Sequence, residues 1–124
     1  MIKKMLEKGS ISISEDVFSI IAAIVIDDMD EIATTVSNIK DDFIRVVNRK
    51  GNQKGIIVDN NEEEVSIDVR ISVYLGTNIC ELCKGLQQKI SEEIEVMTGI
   101  KVANVNVYVD SVKVKEKGII QNIG

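Results

Sequence analysis

The chain has 124 residues, 44% of them apolar and 28% charged, with a formal charge of −5 and a pI near 4.8. That is enough chain for one domain with one core, and the composition is that of an ordinary globular protein. It excludes a bilayer-spanning helix, because the longest pure apolar run is Ile20 to Ile26, and the acidic balance opposes non-specific attraction to nucleic-acid phosphate or anionic lipid.

The N-terminus, MIKKMLEKGS, has lysines but neither the apolar core nor the cleavage site of a secretory signal, which predicts a cytoplasmic protein. Residues 1–8 read as an extension ahead of a single domain at 9–114. Ser10-Ile11-Ser12-Ile13 alternates as a short half-buried strand does. From Val17 the pattern changes: Val17, Ile20, Ile21, Ile24 and Val25 form an amphipathic helical stripe. Ser14 is placed as its N-cap, and Glu15 and Asp16 sit in the first turn, where the helix dipole favours negative charge. An end near Met29 is expected.

The run from Phe43 to Gly76 reads as three strands, punctuated by Asn52 between two glycines and then by Asp59-Asn60-Asn61. In the third, Val65, Ile67, Val69, Ile71 and Val73 alternate with Ser66, Asp68, Arg70, Ser72 and Tyr74, which gives one buried and one polar face. Asn78, followed by Glu81 in a capping-box spacing, opens a second helix with the stripe Ile79, Leu82, Cys83, Leu86, Ile90, Ile94, Met97. Gly99 is its natural stop. A last strand covers Lys101 to Val114, and the jump of apolar parity from Val109 to Val112 predicts a bulge at Asp110-Ser111. Residues 115–124 lack a clean period and read as a mobile tail. The order β-α-β-β-β-α-β predicts an α+β two-layer sandwich, with both helices on one face of a mixed or antiparallel sheet.

The only two cysteines, Cys80 and Cys83, stand in a C-x-x-C spacing where that helix begins, as in a thioredoxin-like site. With no proline for a facing cis-Pro loop and no tryptophan, the rest of that fold is missing. Packing is the preferred reading, and a labile disulfide is the alternative. A closed zinc site needs about four Cys, His or carboxylate ligands, and the chain has no histidine. That absence also removes histidine-dependent triads and dyads. Glu62-Glu63-Glu64 reads as a solvated strand edge rather than a cation site. Neither an enzyme nor a cofactor is expected.

Binding surfaces remain. Tyr74 and Tyr108 share the polar parity of their strands with Arg70 and Asn106, an arrangement suited to a protein-contact or dimer face. Arg45, Arg49, Lys50 and Lys54 cluster without an intervening acid; a solvated turn is the preferred reading, and a locally basic hairpin tip that contacts phosphate or a lipid surface is the alternative. A nucleic-acid-binding module using the open sheet face and this tip is the alternative; it lacks the aromatic and glycine signature of single-strand RNA readers.

Four marks taken together resemble the alkaline shock protein family of Gram-positive envelope stress response proteins. They are Gly-x-Ile-x-Ile-Ser at Gly9 to Ser14, the pair Ala22 and Ala23, MTG at Met97 to Gly99 and VNVYV at Val105 to Val109. The resemblance covers about residues 9 to 114. It implies a non-enzymatic cytoplasmic protein; some members gather under the membrane through a small membrane-anchored partner, and others are linked with lipid metabolism. No catalytic residue is carried over. Asp28 to Lys40 departs most from the family pattern. The reading that follows is an adaptor of the cell envelope acting through protein contacts, as a homo-oligomer.

Overall fold

The computed structural model describes residues 1–33, 55–61 and 64–115. Its elements are β1 (Ile2–Leu6), β2 (Gly9–Ile13), α1 (Glu15–Asp27), β3 (Ile56–Asn61), β4 (Glu64–Tyr74), α2 (Ile79–Thr98) and β5 (Val102–Lys113). The architecture is α+β, as the pattern predicts, with a mixed sheet β3-β4-β5 and a separate hairpin β1-β2.

β4 is the central strand. Val65, Ile67, Val69, Ile71 and Val73 are all buried on one face, while Ser66, Asp68, Arg70 and Tyr74 retain exposure on the other. Both edges are hydrogen-bonded. β3 pairs antiparallel with Glu64 to Val69. Past β3, the chain after α1 continues that edge: Ile32 bridges Val73, Ala33 N–H donates to Ser72 O at 2.7 Å, and Tyr74 N–H donates to Glu31 O at 3.1 Å. On the opposite edge β5 runs parallel. Parallel neighbours cannot be joined by a tight turn, so α2 serves as the crossover between them.

α2 begins and ends where its caps dictate. Asn78 accepts a hydrogen bond from Glu81 N–H at 3.1 Å, and Gly99 adopts φ 74°, its N–H donating to Glu95 O. A side chain at Gly99 would be strained there. The last turn of α2 carries no base of its own. Lys4 of β1 lays its stem alongside instead, with Cε 3.6 Å from where a Gly99 Cβ would stand, which brings a cation to the negative end of the helix. Leu82, Leu86, Ile90 and Ile94 are buried against the sheet, whereas Ile79 and Met97 of the predicted stripe are exposed.

α1 departs further from its predicted face. Phe18, Ile21, Ala22, Ala23, Val25 and Ile26 enter the core, while Val17 and Ile24 are exposed and Ile20 is half-buried. The helix is apolar nearly all round, so its period alone could not identify the covered side. Ser14 caps it as expected, accepting from Asp16 N–H at 3.1 Å.

Two further differences have physical causes. Ser10 to Ile13 does not join the main sheet, because residues 2–6 form a strand that takes it as a partner, from Ile2 opposite Ile13 to Leu6 opposite Gly9. β3 continues through Asp59-Asn60-Asn61, which the sequence reads as a turn. The inward Asn60 is accommodated because its amide donates to Glu15 Oε2 at 2.7 Å. The strand expected before Gly51, most of Asp28 to Lys40 and the tail beyond residue 115 lie outside the described residues.

Glu15 clasps three elements, since both its oxygens also accept from the Met1 amine at 3.1 Å. Its own backbone N–H, then the amine, hold the carboxyl below its usual range, against a smaller opposing effect of burial. Its contribution to stability is present above the unfolded value of about 4.3 and is lost as pH falls through the lower folded value. Glu15→Gln is expected to reduce the loss of urea stability on acidification relative to the parent protein. Leu86→Ala, at a fully buried site, is expected to cost about 2–5 kcal/mol in urea unfolding. The exposed Val96→Ala should stay within about 0.5 kcal/mol.

Candidate interaction surface

Parallel register places the polar residues of β4 and β5 opposite one another as a ladder: Ser66 with Asn104, Asp68 with Asn106, Arg70 with Tyr108, Ser72 with Ser111 and Tyr74 with Lys113. The rungs interact. Asn104 Nδ2 donates to Ser66 Oγ at 3.3 Å, Asn106 Nδ2 donates to Asp68 Oδ1 at 2.9 Å, and the Ser72 and Ser111 hydroxyls share a hydrogen bond of 2.7 Å. Arg70 lies with its guanidinium carbon 4.8 Å from the Tyr108 ring centre, and its Nη1 donates to Asp110 Oδ1 at 3.1 Å.

The bulge foreseen at Asp110-Ser111 makes the last pair possible. Ile71 faces Val109, but Ser72 faces Ser111, so Asp110 is the extra residue. A bulge re-aims side chains. Here Asp110 reaches Arg70 while Ser111 still meets Ser72. A second register shift, at Ala103, brings Val102 opposite Val65 and Val105 opposite Ile67. β5 is covered less than β4: Val105 is buried, but Val102, Val107 and Val109 are only half-buried.

The structure thus brings Arg70, Asn106 and Tyr108 together on one face. Tyr74 stands at its end, half-buried, with Lys115 Nζ 5.1 Å from the ring centre. Arg45, Arg49, Lys50 and Lys54 lie outside the described residues. The ladder's guanidinium is already engaged by a carboxylate and an aromatic face, and Asp68 adds a second carboxylate. This mixed-charge, hydrogen-bonded face suits a protein surface better than a polyanion. Asp110 is the partner that sequence reasoning missed. The parity jump located its bulge, but not the contact with Arg70.

Beyond the C-terminal end of β4 lies an open cleft of about 690 Å³, whose lining includes Glu31, Tyr74, Leu75, Thr77, Glu81 and Lys115. It is mixed in polarity. The C-x-x-C begins α2 nearby, with Cys80 exposed and Cys83 half-buried, both as free thiols. Burial, then the neighbouring Cys80, pushes the Cys83 thiol up. A half-buried thiol held in its neutral form fits Cys83 as a packing residue.

The family model of the alkaline shock proteins, described by a cell envelope-related function, matches residues 3–114. An uncharacterized protein of Streptococcus pyogenes, Spy1614, is 32% identical over 111 residues, covering 86% of this chain and 89% of that protein. The uncharacterized protein YloU of Bacillus subtilis is 31% identical over 108 residues, covering 86% and 90%. YqhY, also an uncharacterized Bacillus subtilis protein, is 23% identical over 109 residues, covering 88% and 81%. No solved structure matches.

Iodoacetamide at about pH 7.5 is expected to label Cys80 well ahead of Cys83. Mass spectrometry of the Cys80→Ser and Cys83→Ser variants separates the two rates, and faster reaction at Cys83 would contradict the packing role. The raised thiol also contributes stability that is present below the unfolded pKa of about 8.5 and lost as pH rises through the folded value.

Proposed function

The chain belongs to the alkaline shock protein family, whose function is cell envelope-related, and from that premise we propose a non-enzymatic adaptor at the cytoplasmic face of the cell membrane. It acts as a homo-oligomer that binds a membrane-anchored protein partner. The observation that carries this reading is the family match, which spans nearly the whole chain rather than one motif. The ladder of Arg70, Asn106 and Tyr108 supports it, because its polar groups pair with one another across two strands and form a rigid, partly aromatic surface. No helix among the described residues is long and apolar enough to cross a membrane.

The test is capture of tagged protein at native expression from separated membrane and soluble fractions, with and without RNase. The expected result is a membrane-protein partner retained after RNase. Associations confined to the soluble fraction and abolished by RNase would replace the adaptor with a nucleic-acid-binding module. Tyr108→Ala combined with Arg70→Ala removes exposed side chains of the ladder and is expected to cost about 1 kcal/mol or less of stability while weakening self-association or partner capture. Sedimentation velocity reads self-association.

A further inference from the structure

The outer side of the helical layer holds an apolar groove of about 480 Å³ between α1 and α2. Its floor is Val17, Ile20, Ile24 and Met97, with Ile21 and Val25 beneath. Val17 is 37% exposed, Ile24 46% and Met97 66%. α1 therefore has two apolar sides. One enters the core, and the other is uncovered by any described residue. A helix apolar all round is ordinarily buried all round, and its second side calls for an occupant.

Charge identifies the occupant. The rim of the groove carries Asp28, Glu92 and Glu93 against the single cation Lys89. The helices that form it share that sign: α1, α2 and the cap Asp28 hold eight carboxylates against Lys84 and Lys89, a net −6, with Glu15 turned to Met1 and Asn60 and Glu81 to the cleft beyond β4. A second copy docked by the same surface would place one acidic rim against another, and like charges across an interface select against that pairing. Anionic lipid is disfavoured for the same reason. What fits is a short amphipathic helix with apolar residues at i, i+3, i+4 and i+7 and Lys or Arg along both flanks.

We propose that the α1–α2 groove is the docking site for a basic amphipathic helix of a protein partner, with Val17, Ile20, Ile24 and Met97 as the floor and Asp28, Glu92 and Glu93 as the rim. The inference rests on the adaptor reading and gives it a surface distinct from the β4–β5 ladder.

The probe is a fluorescein-labelled synthetic helix of about 16 residues, enough for roughly four turns, with a Leu stripe and Lys flanks. Two comparison peptides accompany it: a scramble of the same composition and a version with Glu in place of Lys. Fluorescence anisotropy at about 0.15 M salt, where long-range attraction is screened, is expected to show the Lys peptide binding at least about tenfold tighter than either. Ile24→Glu should weaken it at least about tenfold, and Ile57→Glu, on the exposed side of β3, should leave it unchanged. Glu92→Lys with Glu93→Lys, both on the solvent side of α2, should reverse the preference toward the Glu peptide.

Equal binding of the scramble, or no binding of the Lys peptide, overturns the proposal. So does a dimer of the free protein that Ile24→Glu dissolves, because the groove is then filled by a second copy. Capture of the same membrane partner by Ile24→Glu and by the parent protein also overturns the groove, while leaving the adaptor reading intact. If the parent protein captures no membrane partner, the adaptor reading fails, and the peptide titrations still decide the groove.

Discussion

Most of the architecture follows from β4 being hydrogen-bonded along both edges. Its unbroken alternation from Val65 to Tyr74 divides the molecule: five branched residues face the core, and polar residues face away. A central strand with one polar face admits helices on one side only, because covering Asp68 and Arg70 with apolar surface would strand charge. Both helices therefore bury their apolar residues in the one cluster that β4 supplies. The same constraint shapes the connections. With β3 on one edge, β5 reaches the other through α2, whose twenty residues carry the chain back to the start of β4. The chain after α1 then fills the edge that β3 leaves open, through Ile32 and Ala33.

Where one local interaction dominates, the sequence was readable. β4 declares itself by period, α2 by Asn78 and Gly99, and the bulge by the shift from Val109 to Val112. β1 had no such signal: Ile2-Lys3-Lys4-Met5-Leu6 does not alternate, and of these only Ile2 is buried. The strand exists because it pairs with Gly9–Ile13 and because Lys4 meets the end of α2, contacts distant in sequence. α1 failed in the opposite way, through an excess of signal. Its apolar residues support two stripes, and the side reaching the core is the one with Phe18 and the small Ala22, where the other elements leave space. Asn60 shows a third case. A turn-forming residue stays in a strand because Glu15, forty-five positions away, accepts its amide proton. Of the candidate surface, parity alone put Arg70, Asn106 and Tyr108 on one face; the pairing of Arg70 with Asp110 needed the bulge to be built.

The misread stripe of α1 and the acidic charge of the chain turn out to be connected. Of the stripe chosen from the pattern, Ile21 and Val25 enter the core, but Val17, Ile20 and Ile24 line the side left open, and among the described elements carboxylates are densest on the two helices that border it. In contrast, the hairpin β1-β2 with its turn carries Lys3, Lys4 and Lys8 against Glu7 alone, and on the ladder Arg70 and Lys113 stand against Asp68 and Asp110. Among the described elements, negative charge is thus densest on the helices. A uniformly acidic surface would serve solubility only, but an acidic rim around an apolar floor also selects the sign of what can approach. Segments flanking a membrane anchor on its cytoplasmic side are enriched in Lys and Arg, the sign this rim attracts. With the ladder on the opposite side of the sheet from the helices, the fold offers two faces of different chemistry separated by one layer of β4. The adaptor role proposed above would use that separation, because a contact made on one face then leaves the other free.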